Sequence, residues 1–450
     1  MTLVPFWIFM ALLLVGMPVV FALLLGPGLS LLIDGRPVAF YGMMQQRLFN
    51  GMNSFPLMAV PFFILAGELM NRGNITIALV DLSKALIGHV RGGLAQVNIL
   101  SSILFAGLSG SAVADTSALG SMLIPAMEKN GYTRRFAAAV TAASSIIGPI
   151  IPPSGIMILY AFIMNVSVAG LFAAGIVPGL MVGFGLMFLT SWLSKRHGFP
   201  VANRPATWRE RGAALRGAFW PMLTPIILLG GILSGAFTPT EAAAVAAGYA
   251  MIVCLFVTRT LTPRQLPEVF WQTALSAGTI LLLVAAAVSF SSVIALFRTP
   301  QTLTDIVLAI SSNPYIILLA VNVLLFIVGM FLDAGPAILI LGPILGPAMV
   351  SAGVDPLHFA IVMCVNVTVG LATPPMGLVL FVAAGIARER VERIALAMLP
   401  FLAVEIAVIL LITYIPELAL TLPRLLGFAP WPDCATSRMD VITCALSGGG

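Results

Sequence analysis

The sequence is poor in charge. Of its 450 residues only 9% are Asp, Glu, Lys or Arg, while 60% are hydrophobic; a soluble domain carries roughly 25% charged residues. A soluble fold of this length cannot cover itself with so few, so the chain is an integral membrane protein. The first 33 residues contain no charged side chain, which removes the basic opening of a cleaved signal peptide. Leu3 to Ile33 reads instead as one retained span, longer than the ~20 residues a bilayer needs. Cysteine and histidine are scarce as well, at four and three. Cys254 and Cys364 fall in apolar runs, as inert packing residues do. Cys434 and Cys444 lie in a polar tail and pair only if that tail faces an oxidising space. His89, His197 and His358 are far apart, no Cys/His cluster has metal-site spacing, and no nucleophile–base arrangement stands out. The chain therefore reads as a non-enzyme with no cofactor. It has no P-loop, so ATP is not its direct energy source. The net charge of +5 comes from basic residues in short loops between spans, where they set orientation rather than bind nucleic acid.

What the sequence does contain is an internal duplication. Residues 125–155 and 347–377 pair without a gap at a constant offset of 222, with 10 identities in 31 positions. Each copy begins Pro-Ala-Met, reaches Gly131 or Gly353, then Gly148 or Gly370, and ends in Pro-Pro-x-Gly, 152–155 or 374–377. Paired hydrophobic segments interrupted by Gly and Pro at matching places point to a transporter built from repeats with broken helices.

Around these cores the apolar runs order themselves into two halves. In the first half, 1–194, span 55–71 follows a polar link, and an apolar segment over 92–128 is broken near Gly107–Ser111 and Asp115. That segment is short for two crossings and long for one, which predicts a re-entrant helical hairpin. The span 136–163, interrupted by GPIIPPSG, is the first broken helix, and a span over 168–194 completes the half. A basic loop, 195–216, separates it from the second half, 217–426. There, spans at 218–236, 240–258 and 272–297 lead to a second hairpin, 314–350, broken at Gly329–Gly335. The second broken helix, 357–386, is interrupted by GLATPPMG and followed by a span at 395–415; residues 427–450 form a polar tail. With the 195–216 loop in the cytoplasm and each hairpin returning to its own side, the loops 72–91, 128–135, 195–216, 259–268 and 388–393 all fall inside. Together they hold 17 of the 22 Lys and Arg residues, as the positive-inside rule requires. Hairpin one then enters from the cytoplasm and hairpin two from the opposite face. The expected fold is an all-α membrane protein, a polytopic helical bundle of two inverted repeats, each with a re-entrant hairpin and a broken transmembrane helix.

Each Pro-Pro removes two backbone donors and frees carbonyls of the preceding turn. Freed carbonyls and Ser or Thr hydroxyls are hard oxygen ligands for a small cation, and the helix N-terminus beyond a break favours an anion. One candidate site joins Ser109, Gly110 and Ser111 of the hairpin tip to Gly148 and to Pro152, Pro153 and Ser154 of the break. The other joins Gly329 and Asp333 to Gly370, Thr373, Pro374, Pro375 and Met376. Of the acids within apolar segments, Asp115 and Asp333 lie near hairpin tips, as coupling groups or as N-caps of the returning arm. Glu241 after Thr238-Pro-Thr reads as a cap, and Glu68 and Glu405 as paired structural acids. No Lys, Arg or His lies deep in a span.

The run GLSGSAVADTSALGSMLIPAM (107–127), the two breaks, and the stretches PFFILAGELM (61–70) and GMFLDAGPAILILGPIL (329–345) resemble the large membrane subunit of tripartite ATP-independent periplasmic (TRAP) transporters. The resemblance covers residues 1–426. It implies a multi-pass permease of the bacterial inner membrane, importing a small carboxylate such as a C4-dicarboxylate, driven by sodium, with elevator-type motion. Its implied partners are a separate small membrane subunit of four spans and a periplasmic substrate-binding protein. Family sodium sites lie at hairpin tips and helix breaks, which carries sodium onto Ser109, Ser111, Gly148, Pro152 and Ser154, and onto Gly370, Thr373 and Met376. The tail beyond Gly427 departs from the family pattern. Other expectations compatible with the residues are a carrier that works without a binding protein and a passive channel.

Overall fold

The computed structural model describes residues 2–73, 75–199, 204–310 and 313–431, and these contain helices but no strand. Cys434, Cys444 and most of the 427–450 tail lie outside the described residues. Among the described residues, seven helices are long and apolar enough to cross a membrane, or up to nine if each of two bent pairs counts as one span.

The chain opens differently from expectation. Leu3–Ile33 is not one span but two helices, α1 (Val4–Leu14) and α2 (Val19–Ile33). Gly16, at φ +90°, and Pro18, in extended backbone ahead of α2, turn the chain back on itself. The two helices pack closely enough that a Cβ on Gly26 would lie 3.1 Å from that of Phe9. The polar link is also helical: α3 (Ala39–Met52) leads through a 3₁₀ turn into α4 (Ala59–Arg72), with a bend of 51° between the segments. Next come α5 (Ile75–Ile87) and hairpin one, formed by α6 (Gly93–Ser109) and α7 (Ala112–Lys129). The first broken helix is α8 (Arg134–Ser145), α9 (Ile147–Ile150) and, after the break, α10 (Gly155–Met164), which leaves at 41°.

Helix α11 (Val168–His197) runs into the basic loop, and α12 (Trp208–Leu233) already begins inside it. Both ends of the basic stretch are therefore helical, with Lys195 and Arg196 on α11 and Arg209, Arg211 and Arg216 on α12. Thr207 and Thr238 open α12 and α13 (Pro239–Ile252) with reciprocal capping boxes to Glu210 and Glu241, the arrangement that satisfies two orphan amides at once. The 31-residue α14 (Leu266–Leu296) is followed by α15 (Thr299–Ile310), a helix the apolar pattern did not mark. Hairpin two is α16 (Pro314–Phe331) and α17 (Ala334–Ser351). The second broken helix is α18 (Pro356–Gly370) and α19 (Leu378–Ala387). Helices α20 (Val391–Tyr414) and α21 (Glu417–Leu425) end the described chain.

Contacts sort these helices into two groups. Helices α1–α5 and α12–α14 pack mainly on one another, with α14 lying along α2, α3 and α4. The hairpins, broken helices, α11, α20 and α21 form the other group, and α8 and α18 are buried along nearly their whole length at its centre. The two halves of the duplication interlock here. Half-helix α10 leaves its own half to pack on arm α17 of hairpin two, and α19 packs on arm α7 of hairpin one. These contacts map onto each other at the 222-residue offset of the sequence repeat. Each arm of hairpin two has 18 residues, about 27 Å at ~1.5 Å per residue, so length alone would permit a crossing. The tips nevertheless end beside the breaks midway along the broken helices.

Candidate functional site

At hairpin one, α6 ends at Ser109, Gly110 turns the chain at φ +57°, and Ser111 in extended backbone starts α7. Ser111 caps α7, its Oγ accepting from the Ala114 amide at 3.4 Å, while its own amide donates to Ser109 Oγ at 3.5 Å. The tip is pressed into the first break. A Cβ on Gly110 would lie 2.8 Å from the Pro153 carbonyl oxygen, and one on Gly148 would meet the Ser111 backbone at 3.6 Å. Only glycine at 110 allows both the left-handed turn and this approach. Pro152 and Pro153 offer no amide to the turn before them, and among the described residues no backbone N–H reaches the Gly148 carbonyl. Buried Ser154 caps α10, accepting from the Met157 amide at 3.4 Å. The structure thus gathers Ser109, Gly110, Ser111, Gly148, Pro152 and Ser154 in one place.

The second site is built the same way with different residues. Gly329 near the end of α16 lies backbone to backbone against Gly370: a Cβ on Gly370 would sit 2.5 Å from Cα and C of Gly329. The Gly377 amide, at φ +53°, donates to the Met330 carbonyl at 3.2 Å, tying break two to hairpin two. Buried Thr373 donates its hydroxyl to the Val369 carbonyl at 2.9 Å, leaving its oxygen lone pairs unspent. Gly329, Gly370 and Thr373 come together, whereas Met376 is 49% exposed. Both Pro–Pro bonds, 152–153 and 374–375, are cis.

The two hairpin acids have different roles. Asp333 caps α17, its Oδ1 accepting from the Ala334 amide at 2.8 Å. Asp115 caps nothing: it lies one turn inside α7, fully buried, with neither carboxylate oxygen hydrogen-bonded. The repeat offset pairs Asp333 with Ser111, not with Asp115, whose counterpart is Ala337. Extending the duplication past residue 125 toward the hairpin would have revealed this. Glu68 pairs with Arg72 at 2.8 Å, and Glu241 accepts from the Thr238 amide at 2.9 Å. Glu405, expected to be paired, is instead fully buried with neither oxygen bonded.

Between the two groups of helices lies a cavity of about 460 Å³. One wall is Val60, Phe63 and Ile64 of α4 with Thr279, Ile280 and Leu283 of α14. The other is both hairpin tips, Ser109–Val113 and Asp333–Pro336, with Pro149, Pro153 and Gly155 of the first break. The first turns of α7, α10 and α17 all open onto it. Among the described residues, no Lys, Arg or His lines it, and its one ionisable group is Asp333. An anion here would be held by helix N-termini and hydroxyls.

A bundle with many apolar spans, two hairpins meeting broken helices and a cavity at their tips has the architecture of a membrane transporter. Residues 6–418 match the family model of the tripartite ATP-independent periplasmic transporter, DctM component. The chain is 39% identical over 421 residues to the sialic acid TRAP transporter large permease protein SiaM of Vibrio cholerae, covering 93% of this chain and 98% of that one. It is 36% identical to the C4-dicarboxylate TRAP transporter large permease protein DctM of Rhodobacter capsulatus, covering 94% and 99%. Its fold is similar to that of the Alcanivorax borkumensis YdaH transporter, with a TM-score of 0.62 at 16% identity over 88% of this chain and 90% of that one. The chain belongs to the DctM family: it is a TRAP transporter large permease, a multi-pass inner-membrane protein and not an enzyme.

Proposed function

We propose that this permease imports a small organic acid by sodium-coupled alternating access, receiving it from a periplasmic binding protein and working with a small membrane subunit. The observation that carries the coupling is the charge of the cavity. It has no basic side chain and does contain Asp333, so a carboxylate entering it meets a like charge in a low-dielectric setting, which is costly. Three helix N-termini offset part of that cost; bound cations beside the tips offset the rest. The oxygen-rich junctions at Gly148–Ser111 and at Gly329–Gly370–Thr373 suit a small monovalent ion, because their donors are neutral carbonyls and hydroxyls. The binding-protein relatives and the substrate class are carried over from the relatives, whose names specify sialic acid and a C4-dicarboxylate, both carboxylates. The interlocked halves and the bias of basic loops support inverted repeats, and a cavity walled by one helix group on each side supports elevator-type sliding of the hairpin group along α4 and α14.

The test is uptake in proteoliposomes containing the permease, the small subunit and the loaded binding protein. An inward sodium gradient should drive accumulation, and Ser111→Ala and Thr373→Ala should each shift the sodium requirement upward about tenfold, a loss of ~1.4 kcal/mol in cation binding. Transport that runs only down the substrate's own gradient, indifferent to sodium, would favour a passive channel; full uptake with no binding protein present would remove that partner.

A further inference from the structure

We propose that Asp115 anchors an additional monovalent-cation site, away from the hairpin tips, in the seam where α6 and α7 of hairpin one pack on α8. The inference rests on the sodium coupling proposed above and adds to it a position that neither helix break supplies.

Asp115 is fully buried and neither oxygen has a hydrogen-bond partner. It sits in the first turn of α7, but that helix is already capped by Ser111, so its carboxylate is spare. The one side chain that interacts with it is Ser102 of α6, through a contact outside full hydrogen-bond geometry. Ser102 spends its one hydrogen on Ser144 Oγ of α8, at 3.1 Å, and Ser144 in turn reaches the Thr141 carbonyl at 3.2 Å. The single hydroxyl hydrogen of Ser102 can serve Ser144 or Asp115 but not both, so the two carboxylate oxygens share at most this one donor. The neighbouring hydroxyls behave alike: Thr116 donates within the seam, to Ser145 Oγ at 2.6 Å or the Ala112 carbonyl at 2.8 Å, and Ser145 donates to the Ala142 carbonyl at 2.9 Å. The hydrogens of Thr116 and Ser145 are thus spent on other partners in the seam.

An isolated carboxylate in a membrane interior is expensive unless a positive centre meets it. A buried carboxylate with at most one shared hydroxyl donor has no such centre among the described side chains, and a cation beside it would supply one. The charge of the ion follows from the donor set. One carboxylate with neutral hydroxyls balances a single positive charge, whereas a divalent ion would leave net charge in the bundle core. Hard oxygen donors select an alkali or similar cation over soft metals. Ala337 occupies the equivalent place in the second half and Asp333 is engaged as a cap, so the site belongs to one half only.

The experiment is equilibrium binding of radiolabelled sodium to the full-length permease purified with its small subunit, at constant ionic strength against potassium, together with sodium-dependent thermal melting. Asp115→Asn, matched in shape, should lower the sodium bound per permease by one and shrink the sodium-induced rise in Tm, while melting without sodium stays at or above the wild-type value. Ser102→Ala keeps the acid and should weaken sodium binding about tenfold; it is the variant to read if Asp115→Asn does not fold. A proton or a water in this place would leave the sodium count of Asp115→Asn equal to that of the wild type, and that result overturns the inference while leaving the tip sites standing. Wild-type protein that binds no sodium at all would instead overturn the coupling itself.

Discussion

Single residues decide how closely the hairpins approach the breaks. The clearest case is the pair Gly329 and Gly370, where a methyl on Gly370 would meet backbone atoms rather than a movable side chain. Overpacking of this kind costs about 1–3 kcal/mol or more, because no rotamer can relieve it. Gly370→Ala should therefore lower the melting temperature of the detergent-purified permease and abolish sodium-dependent uptake. The same change at Gly278, with nothing within 4 Å of its would-be Cβ, should leave both intact. Much of this level could be read from the sequence. The freed carbonyls and hydroxyls were predictable because Pro-Pro has a fixed chemical consequence wherever it falls. The division of labour between Asp115 and Asp333 was not apparent, since proximity to a tip in sequence does not say which residue takes the cap. Nor was the isolation of Glu405, because pairing is a tertiary fact that a sequence cannot display.

Among elements, the broken helices were legible and the connecting helices were not. Gly and Pro mark a break by removing donors and Cβ atoms, a local signal. By contrast, the hairpin of α1 and α2 was read as one span, because an uncharged run of more than thirty residues hides a turn carried only by Gly16 and Pro18. Helices α15 and α21 were missed for the opposite reason: they are short and partly polar, without the apolar length that marks a crossing. The Pro pairs lead to a prediction about elements. Replacing Pro152 and Pro153 together by Ala restores two amides and a strongly helix-favouring sequence, Pro being ~3 kcal/mol poorer than Ala inside a helix. The double variant should remain folded by gel filtration and melting, yet lose sodium-stimulated uptake as the Gly148 carbonyl is recaptured. A variant with wild-type sodium dependence would show that the break is only a kink.

At the scale of the whole molecule, the duplication and the distribution of basic loops anticipated two halves, and the structure shows them interlocked. The division into an α4–α14 wall and a hairpin group could not be read in advance, because it depends on which apolar faces meet, and nearly every face here is apolar. Orientation remains the property most open to direct measurement. Lys129→Cys, at the base of hairpin one, and Ser351→Cys, its counterpart at the base of hairpin two, each replace an exposed residue at the end of a helix. In intact inverted and right-side-out vesicles the first should react with an impermeant maleimide only from the cytoplasmic side and the second only from the periplasmic side. Labelling of both from one side would refute inverted repeats.

The crossing of α10 onto α17 and of α19 onto α7 has a mechanical corollary. Each hairpin is clasped by a rod that belongs, through its own break, to the opposite copy. A displacement of either hairpin must therefore be transmitted to the other, as between meshed gears. Neither hairpin could then swing while the other stood still. Such a linkage would favour one concerted movement over two separate ones.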